Sequence, residues 1–102
     1  MQSLTFKYTA KHRLSGAKKN AIIGVVASGD LEVLLERVLP GAACEVEVAT
    51  PLGGYDDVWE AVVAEFVERS SPGGLRISIN DGGARADTVF LRLMQGSALM
   101  GA

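Results

Sequence analysis

Few side chains in this 102-residue sequence have the type and spacing to do chemistry unaided. His12 is the single histidine and sits between the cations Lys11 and Arg13 in a stretch that reads as a loop. A Ser/His/Asp triad is therefore not expected. Cys44 is the single cysteine and alternates with Val46 and Val48, the pattern of an inert thiol facing a core. The sequence has no CxxC, HxxxH or HExxH spacing for a metal and no Walker or Rossmann glycine pattern. The pairs Glu45/Glu47 and Asp56/Asp57 are of a type that serves as acid and base, but solvated strand and helix faces account for them more simply. This scarcity favours a carrier, adaptor or accessory subunit over a free-standing enzyme.

One constellation stands apart, Ser28-Gly29-Asp30. The serine follows the most apolar stretch of the chain and precedes a glycine, so its hydroxyl can stand at a turn tip with little steric cover. By spacing alone, ordinary turn chemistry is the better explanation of the triplet.

The elements around it follow from periodicity. Leu4, Phe6 and Tyr8 alternate with Thr5, Lys7 and Thr9 as in a strand, and KHRLSGAKKN then reads as a long connection. Ala21 to Ala27 is apolar on both faces and β-branched at Ile22, Ile23, Val25 and Val26, which predicts a central strand covered on both sides. Leu31, Val33 and Leu35 continue as a second strand, and a tight Ser-Gly-Asp turn between the two gives a hairpin. Cys44 to Ala49 is another strand, followed by the breaker run TPLGG. From Asp56 to Arg69, Val58, Val62 and Phe66 form one apolar row and Trp59, Val63 and Val67 another, predicting a helix. Asp56 or Asp57 is suited to cap it, with Glu60 as reciprocal partner. Leu75, Ile77 and Ile79 predict a strand ending at Asp81-Gly82-Gly83. Residues 87–95 fit both a strand and a helical face, and the face made by Ala86, Val89, Phe90, Leu93 and Met94 favours a helix running to Met100. The expected fold is α+β: one small domain, residues 1–102, with a mostly antiparallel sheet and two helices packed on it.

Composition excludes several classes. A hydrophobic content of 48% and a net charge of −2 exclude low-complexity disorder, and one cysteine excludes a disulfide scaffold. The longest apolar run is far short of the roughly 20 residues of a membrane-spanning helix, and the opening MQSLTFKYT has no signal-peptide pattern. A cytoplasmic protein is expected. The small net charge conceals a division, because residues 1–19 carry Lys7, Lys11, Arg13, Lys18 and Lys19 with no acid, which leaves −7 in the rest. Nucleic-acid binding calls for a larger positive face with stacking aromatics, so it is not expected. A solvated loop, or a patch that steers phosphates, fits the five cations.

The run GVVASGDLEVLLE, Gly24 to Glu36, closely resembles the acyl-carrier (delta) subunit of malonate decarboxylase. The likeness extends over the chain, through the opening L-T-F strand, the strand ending at Thr50, the helix bearing Trp59, the turn at Ile79-Asn80-Asp81 and the terminal helix. The chain has Ala27 where that family often has glycine, and Gly82-Gly83 followed by Ala86 where it has phenylalanine-glycine and a later proline.

The resemblance implies a non-catalytic carrier. Ser28 would bear 2'-(5''-phosphoribosyl)-3'-dephospho-CoA through a phosphodiester, with Gly29 and Asp30 completing the attachment site. Gly29 would let a loading transferase approach closely, and Asp30 would orient the hydroxyl or help hold a metal ion during loading. The arm would carry acetyl or malonyl as a thioester while partner subunits exchange acetyl for malonate and decarboxylate it. The implied partners are the acyl-transferase and decarboxylase subunits, the prosthetic-group transferase and a malonyl transferase. Lys11, Arg13, Lys18 and Lys19 would steer the phosphate-rich arm or the loading enzyme. A citrate lyase-type acyl-carrier (gamma) subunit bears the same arm on serine, and an unmodified protein-interaction domain is the alternative of a different class.

Overall fold

The computed structural model describes residues 1–51 and 53–102, so Leu52 of the breaker run lies outside the described residues. The elements in chain order are β1 (Gln2–Thr9), β2 (Asn20–Gly24), β3 (Leu31–Arg37), β4 (Ala43–Thr50), α1 (Asp56–Ser70), β5 (Leu75–Asp81) and α2 (Ala86–Met100). The strands form one sheet in the order β1-β4-β5-β3-β2. The pairs β1–β4, β3–β5 and β2–β3 are antiparallel, and β4–β5 is parallel, with α1 as the crossover between its two strands. The expected α+β architecture is therefore present.

Register explains why both helices lie on one face. Phe6, Val46, Ile77, Leu35 and Ala21 lie opposite one another across the five strands, as do Leu4, Val48, Ile79, Val33 and Ile23. These two rows form a continuous apolar surface, because side chains two apart on a strand share a face. Trp59, Val63, Phe66 and Val67 of α1 and Val89, Leu93 and Met100 of α2 complete the same core. Residues of the opposite parity, among them Lys7, Glu45, Glu47, Arg76, Ser78, Glu32 and Glu36, make up the other face, which is mostly polar.

The terminal segment is the helix that its apolar face favours. Three other expectations require correction. Ala21–Ala27 is not a central strand: β2 stops at Gly24 and occupies a sheet edge, leaving Ile22 62% exposed and Val25 and Val26 each 58% exposed. Apolar character on both faces of a short run does not mean cover on both faces. The β2–β3 hairpin exists, but six residues, 25–30, join its strands, and the tight turn through Ser28-Gly29-Asp30, closed by Asp30 N–H to the Ala27 carbonyl, is only part of that connection. The N-cap of α1 is Tyr55 and no side chain caps it, so the Asp57–Glu60 reciprocal cap does not form. Asp56 instead accepts a hydrogen bond from Gln2 Nε2 at 3.0 Å, tying the helix start to β1. Of the two apolar rows on α1, the one through Trp59, Val63 and Val67 is buried throughout, whereas Val58 in the other is exposed.

The long connection between β1 and β2 is packed down rather than loose. Arg37 donates to the carbonyls of Lys18, Leu14 and Met100, joining that connection to the end of α2. A cation on the last carbonyls of a helix also opposes the negative end of its dipole.

Candidate functional site

Ser28 is exposed in the 25–30 loop. The loop is held by its own backbone and by the turn that follows β5. Asp30 N–H donates to the Ala27 carbonyl at 3.0 Å, Gly29 N–H to the Gly82 carbonyl at 3.0 Å, and Gly82 N–H to the Asp30 carbonyl at 2.8 Å. The last two bonds extend the β3–β5 pairing beyond the strand ends and pin the chain that follows the serine.

Two glycines make this arrangement possible for different reasons. A Cβ on Gly82 would lie 2.1 Å from the Ala27 carbonyl oxygen and 2.9 Å from that of Asp30, so only a hydrogen at that position lets the two backbones pack. Gly29 has φ +79°, the left-handed region that glycine enters without steric cost, and the space where its side chain would stand is open. The backbone beside Ser28 is consequently approachable from outside.

Asp30 is turned toward α2. Arg92 Nε donates to its Oδ1 at 3.1 Å and Arg92 Nη2 to its Oδ2 at 2.9 Å, a two-pronged pairing, and Leu31 N–H donates to Oδ1 at 2.8 Å. The Arg92 hydrogen bonds, and then the Leu31 N–H, hold the Asp30 carboxyl below its ordinary value of 3.8. Among the described residues, no hydrogen bond joins Asp30 to the Ser28 hydroxyl. No group of three His, Cys, Asp or Glu side chains suited to a metal occurs among them either. The geometry makes Asp30 an anchor of the loop on α2.

Sequence reasoning missed the other members of this support. Arg92 is the one charge within the apolar run Leu91–Met94, a signal that it needs a partner. Asp81 stiffens the turn beneath the loop: its Oδ1 accepts from the N–H groups of Gly83 and Ala84 at 3.1 and 2.9 Å, and its Oδ2 from Thr50 Oγ1 at 2.8 Å. The Asp-Gly-Gly triplet signals that turn. That it supports the serine loop is visible only in three dimensions.

The remaining chemical candidates lie elsewhere. Cys44 is 2% exposed, and burial, with a smaller effect from Glu45, pushes its thiol up to about 12. His12 is held through its backbone, whose N–H and carbonyl both bond the Ser71 hydroxyl at 3.0 Å. In the basic segment, Arg13 Nη1 donates to the carbonyls of Leu39 and Gly41, and Lys11 pairs with Glu68 at 3.1 Å. Lys18 and Lys19 are exposed. No helix of the described residues is long and apolar enough to cross a membrane.

Comparison with known proteins bears on the same residues. The family described as malonate decarboxylase delta subunit (MdcD) matches residues 18–99. A malonate decarboxylase acyl carrier protein of Bradyrhizobium diazoefficiens is 57% identical over 95 residues, covering 93% of this chain and 90% of that one. One from Xanthomonas campestris pv. campestris is 43% identical with the same coverage, and one from Burkholderia cepacia is 46% identical over 84% of this chain and 79% of its own. Among solved structures, a chain of a Pseudomonas malonate decarboxylase hetero-tetramer in complex with malonate superposes with a TM-score of 0.86 at 37% identity, covering 99% of this chain and 100% of that one. With a matched region that spans the serine loop, its support on β5 and nearly all of α2, the chain belongs to the malonate decarboxylase delta-subunit, or acyl carrier protein, family.

Proposed function

We propose that this chain is the acyl-carrier subunit of a malonate decarboxylase and that Ser28 is the residue that bears its prosthetic group. The observation that carries this reading is an exposed primary hydroxyl on a loop tied to the turn after β5, in a chain whose relatives are acyl carriers. The residues present fit 2'-(5''-phosphoribosyl)-3'-dephospho-CoA: open space beside Gly29 leaves room for a bulky substituent, and the loop already has its internal hydrogen bonds without the Ser28 hydroxyl. When bound, the group supplies the terminal thiol on which partner subunits exchange acetyl for malonate and release carbon dioxide.

This chain's own residues contribute position. Ser28 Oγ would attack the activated phosphoryl group of the precursor; as the new P–O bond forms, the bond to the activating group breaks and that group departs with its electron pair, while the hydroxyl proton passes to the loading transferase. Gly29 lets that enzyme reach the backbone. Asp30, held by Arg92, and Gly82, closed against Ala27, keep the hydroxyl at a fixed place relative to the sheet. Tethering then keeps the reactive end at an effective concentration on the order of millimolar near each partner site. The partners are the acyl-transferase and decarboxylase subunits, a malonyl transferase and the prosthetic-group transferase. Lys18 and Lys19, exposed before β2 at the end away from Ser28, would steer phosphates only at long range, whereas Arg13 is engaged in the fold. The buried Cys44 thiol is not the acyl-bearing one.

Intact-mass measurement on protein co-produced with its loading enzymes tests the reading. A mass increment matching the group, mapped by peptide fragmentation to Ser28 and lost in Ser28→Ala, is expected. An increment on another residue, or none from the native host, refutes it. Reconstitution with malonate decarboxylase subunits against citrate lyase subunits separates the two carrier types.

A further inference from the structure

A cavity of about 310 Å³ opens between the first turns of α1 and α2, at the carboxyl ends of the parallel pair β4 and β5. Its walls are apolar: Val58, Trp59 and Val62 from α1, and Ala84, Ala86 and Val89 from the start of α2. Thr50 and Asp81, hydrogen-bonded to each other, and the exposed Arg85 form the polar part of its lining. Tyr55 and Val58 are half exposed along it, so apolar surface is left open to water.

This cavity adjoins the serine loop. Gly83 lines it, and the neighbouring Gly82 carries the carbonyl that accepts from Gly29 N–H at 3.0 Å. Summing standard backbone lengths along that path puts the Cα atoms of Ser28 and Gly83 no more than about 12 Å apart. A pantetheine segment of about a dozen consecutive bonds extends roughly 15 Å, so an arm on Ser28 reaches the cavity with length to spare.

Resting on the carrier reading above, we infer that the α1–α2 cavity is a resting site for the acetyl-thioester end of the arm. The volume is at the low end of the roughly 300–1,000 Å³ of small-molecule sites, enough for an arm terminus and not for the whole group. The acetyl thioester is uncharged and matches the apolar walls. The cavity shelters the acetyl end between encounters with partner subunits.

The test uses the full chain, isotopically labelled, loaded by its transferase and acetylated, compared by amide and indole NMR with the unloaded chain. Shifts at Val58, Trp59, Ala84 and Val89 are expected. They should shrink in Val58→Glu and in Ala86→Phe, both at exposed positions where the same spectrum reports retention of the fold. The acetyl thioester on the loaded chain should exchange with a small added thiol about twofold or more slowly than acetyl-pantetheine does, as expected for millimolar affinity at millimolar effective concentration. Shifts confined to residues 25–31, shifts unaltered by the two substitutions, or a thioester that exchanges as fast as acetyl-pantetheine each overturn the inference while leaving the carrier reading intact. A chain that mass measurement shows to carry no arm on Ser28 overturns both.

Discussion

Replacing Gly82 by alanine separates the support of the serine loop from the stability of the rest of the domain. The added Cβ would stand 2.1 Å from the Ala27 carbonyl oxygen and 2.9 Å from both its carbon and the Asp30 oxygen. These are backbone atoms, so no side-chain rotation relieves the overlap. The chain has two responses. Forcing the methyl into the packed arrangement costs about 1–3 kcal/mol, as for other overpacked sites. Releasing the loop sacrifices the Gly29-to-Gly82 and Gly82-to-Asp30 hydrogen bonds, about 0.5–1.5 kcal/mol each, a similar total of roughly 1–3 kcal/mol. The two costs are comparable, and release also restores chain entropy, so the loop lifts off β5. Urea unfolding should show a loss of about 1–3 kcal/mol, which at roughly 4–8 °C per kcal/mol for a domain of this size lowers the melting temperature by at least about 4 °C. Amide exchange at Gly29 and at position 82 should accelerate while β3 and β5 keep their protection, and loading of Ser28 should slow. Gly83→Ala is the control: its φ of +90° makes a side chain strained, yet a Cβ there meets nothing within 4 Å, so it costs stability without freeing Gly29. Retained protection at Gly29 in Gly82→Ala, or equal loss in Gly83→Ala, would refute the reasoning.

Three further outcomes follow from the same geometry. Asp30→Asn removes the charge that Arg92 holds; because the folded carboxyl titrates below its ordinary value, the stability that the pair confers is present above that value and lost as pH falls through the depressed one. The wild-type chain and the Asp30→Asn variant should therefore differ in melting temperature at pH 7 and converge on acidification, and a constant gap down to pH 2 would contradict the assignment. Cys44, with its thiol pushed up to about 12, should resist an aromatic disulfide reagent at pH 8 in the unloaded native chain and react fully in urea; prompt native labelling would show that burial does not protect it. Phe66→Ala empties a site that is 0% exposed at the centre of the helix–sheet interface and should cost about 3–5 kcal/mol by urea unfolding, against within about 0.5 kcal/mol for an exposed change such as Thr5→Ser.

Local sequence carries the elements and their faces. Alternation in Leu31-Val33-Leu35 and in Leu75-Ile77-Ile79, and the helical spacing of Trp59, Val63 and Val67, are local records of which side each residue turns to the core. It also marks Ser28 as a candidate, a hydroxyl before a glycine at the end of an apolar run, although spacing alone favours an ordinary turn and the resemblance of Gly24 to Glu36 to a known family is what gives the serine its weight. Strand order, and with it the place of β2, is settled in three dimensions. A two-sided apolar run carries no information about which neighbours it will have, so Ile22, Val25 and Val26 read as central and lie at or near an edge. The start of α1 is likewise beyond local reading, because Asp56 is taken up by Gln2, 54 residues away. Ser28 is legible from its own short stretch of chain. What holds it is not: Arg92 meets Asp30 across 62 residues, and Gly82 fits against Ala27 only because β5 and β3 pair. Periodicity is a property of neighbouring residues, whereas the rigidity of this loop arises from contacts between distant ones.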